Sequence, residues 1–415
     1  MFTVLRSTWP LFLGLLFLML GNGMQGTLLG IRGGYEGFST GEMSVVMSAY
    51  FAGFLVASRI APELIRKVGH VRVFAALGSF ISAILILFPT VTEPWAWVAL
   101  RGALGFSFCG VYIVVESWLN DSATNETRGQ AMSLYLIVQM AGIISAQFIL
   151  NLGDPSGFIL FVIPSVLVSI AFAPILLSAN PAPVFESSKR MPLMDLIRIS
   201  PLGCMSVFLL GGVFSSMFGM ASVFGTEAGL SVKNISIFVA TIYAGGLLLQ
   251  YPIGWASDRM DRRLLILGLS SVGGIAMLIG VMAWSWFPAL LVLAFVMGGV
   301  VNPLYSLSIA YTNDYLQPED MASASAGLLF VNGVGSIGGP LLVGWLMGTV
   351  GPGGFFLFQG LLLVALAGYT VWRMSRRKRQ GVEAGAYVAV TPSATTAATI
   401  GAVYEEEAIQ RDQDH

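Results

Sequence analysis

Twelve apolar segments, each about twenty residues long, constrain this 415-residue chain more than any other feature. They fall near 9–31, 41–63, 72–91, 95–118, 129–151, 157–178, 201–226, 233–256, 263–285, 287–312, 321–347 and 352–373. A hydrocarbon layer roughly 30 Å thick is crossed by about 20 helical residues, and only a helix or a closed barrel satisfies its backbone polar groups there. The composition agrees, with 56% hydrophobic and only 10% charged residues and a mean hydropathy of +0.80, far from the balance of a soluble domain. The expected architecture is all-α and integral to the membrane. The first segment is read as a retained span, because its apolar run is longer than a signal-peptide core and no small-residue cleavage site follows it.

Charge placement sets the orientation. With a cytoplasmic N-terminus, sixteen Lys and Arg residues, among them Arg66, Lys67, Arg128, Arg262 and Arg376, fall at inner loops and helix ends, against Arg32 and Lys233 outside. The positive-inside rule then puts both termini in the cytoplasm. The expected organisation is a six-helix half over 1–178, a polar cytoplasmic linker over 179–200, a second six-helix half over 201–373 and a disordered tail over 374–415. Cys109 and Cys204 lie in apolar segments, and His70 and His415 are the only histidines, so neither a disulfide framework nor a structural zinc site is implied. No P-loop is present, and Gly333 to Gly338, formally G-x-G-x-x-G, sits inside an apolar span with no strand before it. The chain therefore calls for no cofactor, no metal and no nucleic acid.

A shift of 193 residues relates the halves. It carries Tyr50 to Tyr243, Tyr112 to Tyr305, Asn120-Asp121 to Asn313-Asp314, Asn22 to Ser215, Gly53 to Gly246, Gly105 to Gly298 and Gln139 to Asn332. Six helices repeated as six is a transporter architecture.

GWASDRMDRR, Gly254 to Arg263, packs two aspartates and three arginines into ten residues after the eighth span. It resembles the G-x-x-x-D-R-x-G-R-R signature of the major facilitator superfamily at Gly254, Asp258, Arg259, Arg262 and Arg263, with Asp261 in place of the second glycine, which permits a tight turn. The stretch E-S-W-L-N from Glu116 is similar to poorly characterised bacterial members of that superfamily, which implies a bacterial inner-membrane location. The resemblance covers about 370 residues and implies twelve helices in two pseudo-symmetric halves. It further implies a cytoplasmic latch in which Asp258 faces the start of the fifth span near Thr127 and Arg259 reaches Asp314. The first half's loop, PELIRKVGHVR, keeps Gly69 but has Arg66 at the acidic position, so Glu116 is the expected acid there, with Arg59 or Lys67 as partner.

Arg101, Gly105, Tyr112 and Glu116 share one helical face of the fourth span. Arg101 to Gly105 also resembles the superfamily's R-x-x-x-G motif, whose arginine the resemblance links to coupling or substrate binding. An intramembrane arginine is costly enough that it should face protein or a wet cavity. Asn22, Tyr50, Gln139, Ser215, Tyr243, Asn302 and Asn332 lie near mid-span and, with Arg101, Tyr112 and Tyr305, make up the expected substrate cavity. No Asp or Glu lies at the midplane, which leaves protons open as a coupling partner. The function expected is alternating-access transport of a small polar or anionic organic solute by a monomer. Efflux of lipophilic compounds is the alternative, and a non-transporting sensor or scaffold stands behind both.

Overall fold

The computed structural model describes residues 2–122, 125–176, 191–376 and 387, without side chains at 2–8, 120–122, 125–129, 175–176, 318–319 and 322. Six helices make the first half: α1 (Phe2–Tyr35), α2 (Thr40–Val68), α3 (His70–Leu87), α4 (Pro94–Ser122), α5 (Asn125–Ile149) and α6 (Ile159–Leu176). The second half repeats them as α8 (Pro201–Glu227), α9 (Val232–Ser257), α10 (Arg262–Ala283), α11 (Phe287–Asn313), α12 (Pro318–Val350) and α13 (Gly354–Arg376). Eleven of these helices are long and apolar enough to cross a membrane, and α6 carries a shorter apolar run, Ile159–Pro174. Part of the expected linker is helical. Leu193–Ile199 forms the short α7 after Pro192, with Leu196 buried against Gly327 of α12, so its apolar face docks under the bundle.

Helix starts follow local chemistry. Ser39 and Glu42 exchange bonds as a capping box at α2, and Ser231 caps α9 through the Asn234 N–H. Asp261 explains its own departure from the signature: with φ −61° and ψ 117° it is extended, and its carboxylate accepts the Arg263 N–H to cap α10. No left-handed residue is needed there. Gly69, in the matching loop of the first half, has φ 87° and makes no side-chain cap, so glycine is required at that position.

Packing within each half follows one scheme. The first half pairs α1 with α5 and α6, α4 with α2 and α3, and α3 with α6; the second pairs α8 with α12 and α13, α11 with α9 and α10, and α10 with α13. Lipid tails give helices no hydrophobic reason to associate, so close backbone approach at small residues has to supply the attraction. A Cβ on Gly105 would meet the Tyr50 carbonyl oxygen at 2.0 Å, and one on its repeat mate Gly298 would meet that of Ile242 at 1.8 Å.

The two halves meet more sparingly. Here α1 packs on α8, α2 on α12 and α5 on α9. Hydrogen bonds cross between the halves from Thr40 to Glu227, from Ser222 Oγ to the Gly26 carbonyl at 3.4 Å and from Ser48 Oγ to the Ile337 carbonyl at 2.6 Å. Gly344 lies against Ser44, and Gly30 against Ser222. These contacts lie toward the end where α1 and α8 finish, opposite the end that carries Asp258, and they draw the halves together there. Gly298→Leu should cost about 1–3 kcal/mol or more by overpacking and lower the thermal midpoint of the purified protein. Gly268→Leu, where an added Cβ meets nothing within 4 Å, should leave that midpoint near wild type.

Candidate functional site

A cavity lies where the halves meet, with about 780 Å³ of empty space including its mouth. Seven of the ten expected residues line it: Asn22, Tyr50, Arg101, Tyr112, Gln139, Tyr243 and Asn302. Asn332 lines a smaller adjoining cavity that shares Tyr50, Phe51 and Phe214, and its Nδ2 donates to the Val207 carbonyl at 3.2 Å. Two expectations are corrected. Ser215 is fully buried because Gly212 and Gly339 bring α8 and α12 together over it, and its hydroxyl turns back to the Gly212 carbonyl. Tyr305 is also fully buried, inside the second half on α11, whereas its repeat mate Tyr112 reaches the cavity.

Arg101 is the one charged side chain among the described residues that line the cavity, and it is only 4% exposed. It donates to the Gln25 side-chain oxygen, lies 4.7 Å from the Tyr50 ring centre and approaches Met47 Sδ at 3.5 Å. A cation over an aromatic face recovers part of its lost hydration. Gln25 in turn donates to Asn22 at 2.9 Å, and Asn22 donates to Tyr112 at 2.7 Å. The network thus runs from α4 to α1 and back to α4. Sequence reasoning missed Gln25, although its place one turn beyond Asn22 on the same helix was the available signal. It also missed Gln147, which lines the cavity from α5.

The repeat shift exposes an asymmetry between the walls. Adding 193 takes Asn22 to Ser215, Gln25 to Phe218, Arg101 to Ala294 and Gln147 to Pro340. The first half therefore supplies the charge and most amides, and both halves supply rings. Phe218 sits between Phe214 and Tyr243, with centroid distances of 4.4 Å to each.

At the Asp258 end the pairing differs from the signature's implication. Arg262, buried at the start of α10, holds Asp314 at 2.5 Å and donates to the Ala310 carbonyl at 3.0 Å and to Ser257 at 3.2 Å. Arg259 instead lies 4.3 Å over the Trp255 ring and bonds the Trp255 carbonyl. The cause is position: α10 packs on α11 and carries Arg262 to the end of that helix, while Arg259 lies in the turn. Asp258 accepts the Tyr387 N–H at 3.0 Å, and the Tyr387 hydroxyl accepts from Gln250 at 3.0 Å. A Cβ on Gly254 would meet the Tyr387 ring at 2.6 Å. The side chain of Thr127 lies outside the described residues.

Glu116 is buried and accepts from the Tyr135 hydroxyl at 2.8 Å, and Gln139 donates to that hydroxyl at 3.4 Å. Its expected partners are engaged elsewhere, with Arg59 over the Phe330 ring and Lys67 on Glu63. Among the described residues no group of three or more His, Cys, Asp or Glu could hold a metal ion.

Twelve apolar helices in two related halves around a central cavity define a secondary transporter fold. The Major Facilitator Superfamily model matches residues 11–249 and 202–403, and the chain belongs to that family. It is similar to the uncharacterized MFS-type transporter YcaD of Escherichia coli O139:H28, 28% identical over 391 residues that cover 89% of this chain and 98% of the relative. The YcaD of Escherichia fergusonii is 26% identical over 349 residues, covering 82% and 89%. Among solved structures, the nucleoside transporter NupG superposes with a TM-score of 0.73 at 16% identity, covering 90% of this chain and all of that one. A mutant form of NupG gives 0.75 at 17% identity, covering 88% and 99%. The protein is a membrane transporter of this family and not an enzyme.

Removing one member of a buried ion pair typically costs about 3–5 kcal/mol, because the other is left uncompensated. Arg262→Ala should therefore lower the thermal midpoint clearly. Arg259→Ala, which removes an exposed stacking contact and an exposed hydrogen bond to Trp255, should stay within about 0.5 kcal/mol of wild type.

Proposed function

We propose that the protein moves a small anionic organic solute across the membrane by alternating access, with Arg101 as the group that receives the anion. The observation that carries this reading is a nearly buried guanidinium in the cavity between the halves, with no carboxylate among the described lining residues. A buried cation without a fixed counter-charge is costly, and a solute anion offsets that cost when it binds. The remaining site roles follow the same reading: Asn22, Tyr50, Tyr112, Gln139, Tyr243 and Asn302 orient the solute, and Asp258 with the Arg262–Asp314 pair serves the gate at the basic end. With that end cytoplasmic, as the loop charges favour, the contacts around Thr40 and Glu227 close the outer side.

A second reading, efflux of lipophilic compounds, draws on the ring wall of Phe214, Phe218 and Tyr243. The two separate in a thermal-shift screen of the purified protein against organic acids, amino acids, sugars and lipophilic cations. Ligand at 100 times its Kd stabilises the folded state by about 2.7 kcal/mol, so organic acids should raise the midpoint by several degrees and Arg101→Gln should abolish the rise. Stabilisation by lipophilic cations, unchanged in Arg101→Gln, contradicts the anion reading and supports efflux.

A further inference from the structure

The cavity's unmet hydrogen-bonding groups narrow the solute further, on the basis of the anion reading above. We infer that the preferred substrate is an aromatic monocarboxylate that also carries a neutral hydrogen-bond donor, such as a ring hydroxyl. Three buried atoms of residues that line the cavity find no partner in the protein: Arg101 Nε, Gln147 Oε1 and Asn302 Oδ1. The first is a donor on a cation. The other two are neutral acceptors on different helices, α5 and α11.

Each requirement follows from these atoms. Arg101 Nη1 is already engaged by Gln25, and Nη2 has only the weak sulfur acceptor of Met47. Nε and Nη2 point along one edge of the planar guanidinium, the edge that a carboxylate grips with both oxygens. One cation and no lining carboxylate match a single negative charge. A dianion would keep one charge uncompensated, and an ammonium group would find no counter-charge. The carbonyl oxygens of Gln147 and Asn302 require a donor, which an uncharged O–H or N–H supplies without a desolvated charge. The ring requirement comes from Phe218, packed between Phe214 and Tyr243, because the repeat substitutes this ring for Gln25 on the opposite wall. Planar faces stack on such a wall better than saturated rings do.

Four compounds of similar size test this in full-length detergent-solubilised protein by calorimetry: 4-hydroxybenzoate, 4-hydroxybenzamide, trans-4-hydroxycyclohexanecarboxylate and tyramine. The hydroxybenzoate should bind about ten-fold or more tightly than the amide, which lacks the charge, and than the saturated acid, which lacks the π-face. Arg101→Gln should erase the first difference, and Phe218→Leu the second. Should either variant fail to fold, the wild-type ranking alone decides. Equal binding of the aromatic and saturated acids overturns the aromatic class and leaves the anion reading standing. Tighter binding of tyramine or the amide than of either acid overturns both. No binding of 4-hydroxybenzoate at millimolar concentration overturns the class proposed.

Discussion

Close approach of helix backbones at glycine is the interaction on which the rest of this structure depends. In a membrane no hydrophobic term drives one helix against another, so the pairs α2–α4 and α9–α11 rely on carbonyl oxygens lying where a Cβ would otherwise sit. That economy makes each half a tightly packed unit. Between halves glycines instead receive side chains, with Ser222 at Gly30, Ser44 at Gly344 and Leu55 at Gly333. The centre is left for larger side chains that do not interdigitate, and the cavity is the consequence. Rigid halves with a restricted contact between them are what a rocking motion needs.

The two halves share a backbone plan and differ in chemistry. At equivalent positions the first places Gln25 and Arg101, and the second Phe218 and Ala294. An arginine in the bilayer is tolerable only where its donors meet protein groups or a wet space. The chain from Arg101 through Gln25 and Asn22 to Tyr112 meets part of that need and fixes the guanidinium in place. What it leaves unmet is Arg101 Nε, a buried donor of a residue that lines the cavity. Charge on one wall, with rings on both, gives the site a polarity that a symmetric duplication would lack.

Much of this was legible in the sequence. Helix number and order follow from segment length, and the pairing of Tyr50 with Tyr243 across the cavity follows from the 193-residue shift. Asn22, Tyr50, Gln139, Tyr243 and Asn302 were found by depth, since a polar side chain at mid-span must face protein or water, and Arg101 and Tyr112 by their shared helical face. Neither depth nor the repeat shift gives rotation, which is why Ser215 and Tyr305 were expected in the cavity and lie instead inside helix contacts. The signature loop placed Asp258 and Asp314 near one another's helices but misassigned the arginine. Which of Arg259 and Arg262 reaches Asp314 depends on where α10 begins, and that start is set by the Asp261 cap. Tyr387 gave no signal at all, because its contacts with Gly254, Gln250 and Asp258 join chain segments more than 120 residues apart.

Alternating motion of the halves about the cavity is the central claim, and a reversible lock tests it most directly. Thr40→Cys and Glu227→Cys, introduced together after replacement of Cys109 and Cys204, place two thiols where the halves now hydrogen-bond. Solute flux in proteoliposomes and solute binding in detergent are then measured on the same preparation, oxidised and reduced. The account expects the oxidised protein to bind solute, to carry none across the membrane, and to regain transport on reduction. Undiminished transport with the disulfide fully formed would contradict it, because the halves would then have no need to part at that end.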